Sequence, residues 1–214
     1  MPDAFPAPQF ANLRQQEDVA RLGMWVFLST EVLFFGGMML LYYAYRSGYP
    51  AGFAEAARHT DIFIGTINTA VLLTSSFAVA WAVAAAKDGD GRLAAILLST
   101  AALLGVVFLG LKSIEYLKEY HEHLVPAVNF AFPGKQANSV ELFFIFYFIS
   151  TGLHALHLTI GIVALTVMAR RTARGQMTPH LRNGVTVTGL YWHFVDAVWL
   201  FLFALIYLPG RGGT

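Results

Sequence analysis

No cysteine occurs anywhere in the 214-residue sequence. That absence excludes disulfides, thiolate-held iron–sulfur clusters, zinc ribbons and a cysteine nucleophile. Charge is nearly as scarce, at 13% of residues, against roughly 25% in ordinary soluble domains. Fourteen basic residues balance thirteen acidic ones to a formal +1, so the chain lacks the basic footprint of a nucleic-acid binder. What is abundant is apolar surface, 57% of all residues. A disordered chain is poor in exactly those residues. The composition is that of a polytopic membrane protein.

Crossing a bilayer takes about 20 mostly apolar residues. Five segments qualify, roughly Leu22–Tyr45, Asp61–Ala86, Leu93–Leu117, Val140–Ala169 and Gly184–Leu208. Transmembrane β-strands would read as alternating stretches of about ten residues; these runs are continuous, so they predict helices. The expected fold is all-α, a five-transmembrane-helix bundle forming one membrane domain over residues 1–214. The segment before the first span lacks a basic n-region, so a cleaved signal peptide is not expected. Short links carry the turn residues Ser47-Gly48-Tyr49-Pro50, Asp88-Gly89-Asp90-Gly91 and Arg174-Gly175. The longest link, Lys118–Ser139, holds His121 and His123, expected to be solvated.

Basic residues set orientation. Arg14, Arg21, Lys87, Arg92, Arg170, Arg171, Arg174 and Arg182 fall on the side of the N-terminus. Arg46, Arg58, Lys118, Lys135 and Arg211 fall on the other. The excess predicts an inside N-terminus and an outside C-terminus.

Polar groups within the spans each require a reason, because hydrocarbon offers them no partner. Glu31 stands among Met24, Phe27, Leu28, Phe34, Phe35 and Met38 at helical spacings, a setting that penalises charge. It reads either as a proton-linked, reactive carboxyl or as a neutral acid hydrogen-bonded to a neighbouring helix. His154, His157 and Gly161 share a helical face at i, i+3 and i+7, and His193 and Asp196 at i, i+3 are spaced to pair. Three mid-membrane histidines raise the possibility of a metal or haem, but two ligands on one helix usually need i, i+4 spacing. Interhelical hydrogen bonds are the expected use. Asn68-Thr69 and Thr74-Ser75-Ser76 read as packing and hydrogen-bonding positions, and Lys112 with Glu115 as a pair or a snorkelling lysine near the outer end of its span.

Four clusters follow one another on four spans: Leu28-Ser29-Thr30-Glu31-Val32-Leu33-Phe34-Phe35, Asn68-Thr69-Ala70-Val71-Leu72-Leu73-Thr74-Ser75-Ser76, Thr151-Gly152-Leu153-His154-Ala155-Leu156-His157 and Tyr191-Trp192-His193-Phe194-Val195-Asp196. In that order, from Arg21 to Tyr207, the chain resembles subunit III of the haem-copper terminal oxidases, the cytochrome c oxidase subunit 3 family, in a short five-helix form. The resemblance implies a non-catalytic subunit of a proton-pumping, oxygen-reducing complex in a bacterial inner membrane. Haem and copper would sit in partner subunits I and II and none in this chain, which would pack on subunit I, support proton uptake and turnover stability, and hold phospholipid in a cleft. Small extra subunits and a respiratory supercomplex are compatible with this. Glu31 matches the family's carbodiimide-reactive carboxylate. Asn68, Ser75, Glu115, His154, His157, His193 and Asp196 match an interhelical polar network, with Lys112 standing where glutamine is more usual. The long form of the family has seven spans; here the first two are absent, and a neighbouring subunit would have to supply one wall of the lipid cleft. Whether the electron donor is cytochrome c or quinol stays open, as does a subunit associated with nitric oxide reductase. From other classes, a stand-alone proton channel or transporter is opposed by the lack of inverted repeats and broken helix pairs, and a membrane cytochrome by the histidine spacing.

Overall fold

The computed structural model describes residues 9–175 and 177–209, and Arg211 lies outside them. Six helices follow in order: α1 Leu13–Gly48, α2 Pro50–His59, α3 Ile62–Lys87, α4 Gly91–His121, α5 Ala137–Arg174 and α6 Pro179–Tyr207. No strand occurs among the described residues. All but α2 are long and apolar enough to cross a membrane, so the five expected spans are present as helices.

Their ends depart from expectation. α1 starts nine residues before Leu22, α4 runs on to His121, α5 reaches Arg174 and α6 begins at Pro179. Hydropathy marks only the stretch that must be apolar, whereas a helix continues into water wherever its terminal amides are capped. Side-chain caps satisfy those amides at the N-terminal ends of α1, α4 and α6. Asn12 accepts from the Gln15 amide at 2.8 Å, Asp90 from the Leu93 amide at 2.9 Å, and Thr178 from the Leu181 amide at 3.3 Å. Pro179 follows its cap at the first helical position, where its missing amide is harmless. The expected turn at Ser47–Pro50 is instead a break between α1 and the unforeseen α2, which again opens on proline. Between α3 and α4, Gly89 takes φ 87° to close the tight turn.

Helices α3 to α6 pack around one another, with the α3–α4 hairpin the most intimate pair. Lipid chains are as apolar as leucine, so close fit rather than water exclusion must hold such helices together. Small residues make that fit. Ala78 and Ala82 of α3 and Ala101, Ala102 and Gly105 of α4 are all buried. A Cβ on Gly105 would meet Trp192 of α6 at 2.8 Å, and one on Gly161 of α5 would meet the same indole at 2.9 Å. The two glycines thus form the slot that takes the fully buried Trp192 ring. Helix α1 lies outside this core, mainly against α6. It buries only Leu28, Phe35 and Tyr42, one residue every two turns, and leaves Val26, Val32, Leu33, Leu40 and Leu41 exposed.

Candidate functional site

Of the residues singled out above, Glu31 and His157 come together. The stripe Leu28–Phe35–Tyr42 seats α1 on the bundle and turns Glu31 toward α5, where its Oε2 lies 3.2 Å from His157 Nε2. Neither side chain is sealed, at 19% and 15% exposure. The other ring nitrogen, Nδ1, lies 2.9 Å from the Leu153 carbonyl. A carbonyl oxygen only accepts, so Nδ1 carries a hydrogen and Nε2 is the nitrogen that faces the acid. Phe35 stands edge-on to the imidazole at 5.3 Å, and Tyr191 donates to the His157 carbonyl at 3.0 Å. The arrangement sets a carboxyl against an imidazole beside the open face of α1.

Other expected partnerships do not form. His154 and His157 diverge, since i, i+3 positions stand about 60° apart around a helix axis. His154 is buried between Phe108 and Trp199, and neither ring nitrogen makes a hydrogen bond. His193 does not pair with Asp196. Its Nδ1 meets Ser76 of α3 at 2.7 Å, while both Asp196 oxygens, though near Ser76, lack hydrogen-bond geometry with any group. Asn68 is fully buried yet its amide bonds to nothing; the neighbouring Thr69 takes the interhelical role, accepting from Trp199 Nε1 at 3.0 Å. Ser75 donates to the Ala101 carbonyl at 3.2 Å, from α3 to α4. Geometry explains the failures: periodicity gives a residue's face, but not the reach or direction of the polar group across from it.

The largest polar cluster was only half foreseen. Lys112 does not snorkel. It is 3% exposed and pairs with Glu115, 1% exposed, at 3.0 Å. Its remaining donors reach the hydroxyls of Tyr147 on α5 and Tyr207 on α6, each at 2.7 Å, so all three ammonium hydrogens are used. Tyr207 in turn donates to Glu115 Oε1 at 2.7 Å. The ammonium also lies 4.3 Å from the Tyr147 ring centroid, within cation–π range. Glu119, one turn beyond Glu115 and 2% exposed, stands near Lys112 and Tyr147 with neither oxygen in hydrogen-bond geometry. Nearby, Tyr116 and Thr151 share a hydrogen at 2.6 Å. Glu119, Tyr147 and Tyr207 were missed, although Lys112, Glu115 and Glu119 fall at i, i+3 and i+7 on one stripe. The signal was there, but ending the span at Leu117 cut the stripe in two.

Toward the same end, Asp61 caps α3 by accepting from the Phe63 and Ile64 amides at 3.1 and 3.2 Å and binds Lys118 at 3.0 Å. Partial burial alone would raise its carboxyl. The Lys118 hydrogen bond and the two backbone amides outweigh that and hold it below the ordinary carboxylate range. Among the described residues no group of three His, Cys, Asp or Glu side chains is arranged to hold a metal ion.

A family model for cytochrome c oxidase subunit III matches residues 14–211, taking in the Glu31–His157 pair and the whole Lys112 cluster. The chain belongs to the cytochrome c oxidase subunit III family. It is 33% identical to cytochrome c oxidase subunit 3 of Corynebacterium diphtheriae over 94% of this chain and 93% of that one. Similarity to cytochrome c oxidase subunit 3 of Thermostichus vulcanus is 32%, over 94% and 92% of the two chains. Quinol oxidase subunit 3 of Bacillus subtilis is 29% identical over 95% of each. The similarity to terminal-oxidase subunits thus spans both electron donors.

Proposed function

We propose that the chain serves as the redox-free subunit III of a proton-pumping cytochrome c oxidase in aerobic respiration, in a bacterial inner membrane with its N-terminus inside. Family membership supports the assembly; the Glu31–His157 pair beside the unfilled face of α1 carries the mechanistic part. In this reading the exposed face of α1 and its neighbours pack on the haem-copper subunit I. The Glu31–His157 pair buffers a proton near the uptake route of that subunit and so prolongs active turnover, while subunits I and II hold the haem and copper. The groove between α1 and α6, about 580 Å³ and lined by Trp25, Leu28, Val32, Leu190 and Phe194 among others, suits phospholipid acyl chains, with a neighbouring subunit completing the wall.

Affinity purification through a tag on this chain, with optical spectra and mass spectrometry, tests the assignment. A haem-bearing subunit I and a copper-binding subunit II are expected, and no visible absorbance from the chain alone. A subunit II without a copper site would turn the reading to quinol oxidation. Stoichiometric haem on the isolated chain would overturn it, as would proton flux through the chain alone that Glu31→Gln abolishes.

A further inference from the structure

A second trough is used by nothing described above. It lies between α4 and α5, has a volume of about 720 Å³, and is lined by Ala95, Ser99, Ala102, Thr166, Ala169 and Arg170 among others. The helices meet closely at both ends of it, through backbone at one and the Ile162 side chain at the other. A Cβ on Gly91 would lie 3.0 Å from the Thr172 carbonyl, and one on Gly105 would lie 2.9 Å from Ile162. Between these points Ala95, Ser99, Ala102, Thr166 and Ala169 leave a furrow in the outer surface, walled by the larger Ile96 and Leu103. Nearer the other membrane face the same seam is filled by Tyr116 against Phe148, ring centroids 5.0 Å apart. From Ala95 to Val106 the furrow runs about 16 Å at 1.5 Å per residue, close to half of a hydrocarbon core of about 30 Å. A partner helix would need the full thickness. An acyl chain of one leaflet needs only this half.

The mouth of the furrow is cationic. Arg170 lines it, is exposed, and makes no hydrogen bond or ion pair among the described residues; Arg92, Arg171 and Arg174 lie exposed at the same end. Basic residues at helix ends attract anionic headgroups at about 1 kcal/mol each. We infer that the α4–α5 furrow is a binding site for one anionic phospholipid of the leaflet on the N-terminal side, its acyl chain along Ser99 and Ala102 and its phosphate on Arg170. This rests on the membrane-spanning fold, not on the oxidase assignment.

The test places the purified protein, with whatever subunits accompany it, in nanodiscs containing photoactivatable phosphatidylglycerol or phosphatidylcholine. Crosslinked peptides are then mapped. The wild type is expected to label residues 92–106 and 162–174 with phosphatidylglycerol in preference to phosphatidylcholine. Arg170→Gln should lower that preference about fivefold, the equivalent of one surface arginine. Ser99→Phe, which fills the furrow from its open side, should abolish labelling by both lipids while an unchanged melting temperature shows that the fold persists. Equal labelling by the two lipids in the wild type, labelling unaffected by either substitution, or crosslinks from a neighbouring protein in place of lipid would each overturn the assignment.

Discussion

The ammonium of Lys112 lies 3.0 Å from Glu115 Oε2 within a cage of tyrosines, at the meeting point of α4, α5 and α6. Among the described residues it is the one place where an ion pair is buried rather than shared with solvent, since the Lys118–Asp61 and His157–Glu31 contacts are both partly exposed. Removing one partner of such a pair strands the other, whereas removing both need not be harmful. Lys112→Met is therefore expected to destabilise the chain by about 3–5 kcal/mol. The double substitution Lys112→Met with Glu115→Leu should recover a large part of that loss. Thermal unfolding in detergent measures both; a double variant no better than the single one would show that the tyrosine cage, not the charge, is what the lysine supports.

For the membrane carboxyl the expectation differs. Glu31→Gln keeps a side chain of the same size that can still donate to His157 Nε2, so assembly with the partner subunits and the initial rate of oxygen reduction should be close to wild type. Proton uptake, or the number of turnovers before inactivation, should fall. Oxygen-electrode traces followed to exhaustion would separate the two. Loss of haem from the complex would contradict the role given to Glu31.

Asn68 is buried with no hydrogen bond for its amide. An unsatisfied buried polar group costs about 1–3 kcal/mol, and leucine is close to asparagine in shape. Asn68→Leu should leave stability unchanged or raise it by about 1 kcal/mol, read as a rise in melting temperature. A clear drop would mean that the amide does find a hydrogen-bond partner inside the bundle.

Asp61 joins a helix cap to a surface ion pair. Its folded carboxyl sits below its unfolded value, near 3.9. The stabilisation is then complete above about pH 4 and is lost as pH falls through the lower folded value. Asp61→Ala should lose about 1 kcal/mol through the cap. Asp61→Asn, which keeps the cap and drops only the Lys118 pair, should lose less than Asp61→Ala. Melting temperatures across a pH series check the order, and equal losses would leave the cap without a role.

Much of this was legible beforehand. Five apolar runs dictated five helices, because in hydrocarbon the backbone must satisfy its own hydrogen bonds and a helix does so within one segment. The order of the Glu31, Asn68, His154 and His193 motifs carried the family. The partner of Glu31 was not legible, since its contact with His157 arises only where α1 packs on α5. Less visible were α2, hidden behind the breakers Gly48 and Pro50, and the run of α4 to His121, hidden by its falling hydropathy.

Pairing was what the tertiary structure alone decided. His193 found Ser76 rather than Asp196, Trp199 found Thr69 rather than Asn68, and Lys112 was capped by tyrosines 35 and 95 residues away. Spacing along a helix determines which side a group faces, and that can be read from sequence. Which donor stands opposite depends on how closely helices approach, and here Gly105 of α4 and Gly161 of α5 set that distance against the ring of Trp192.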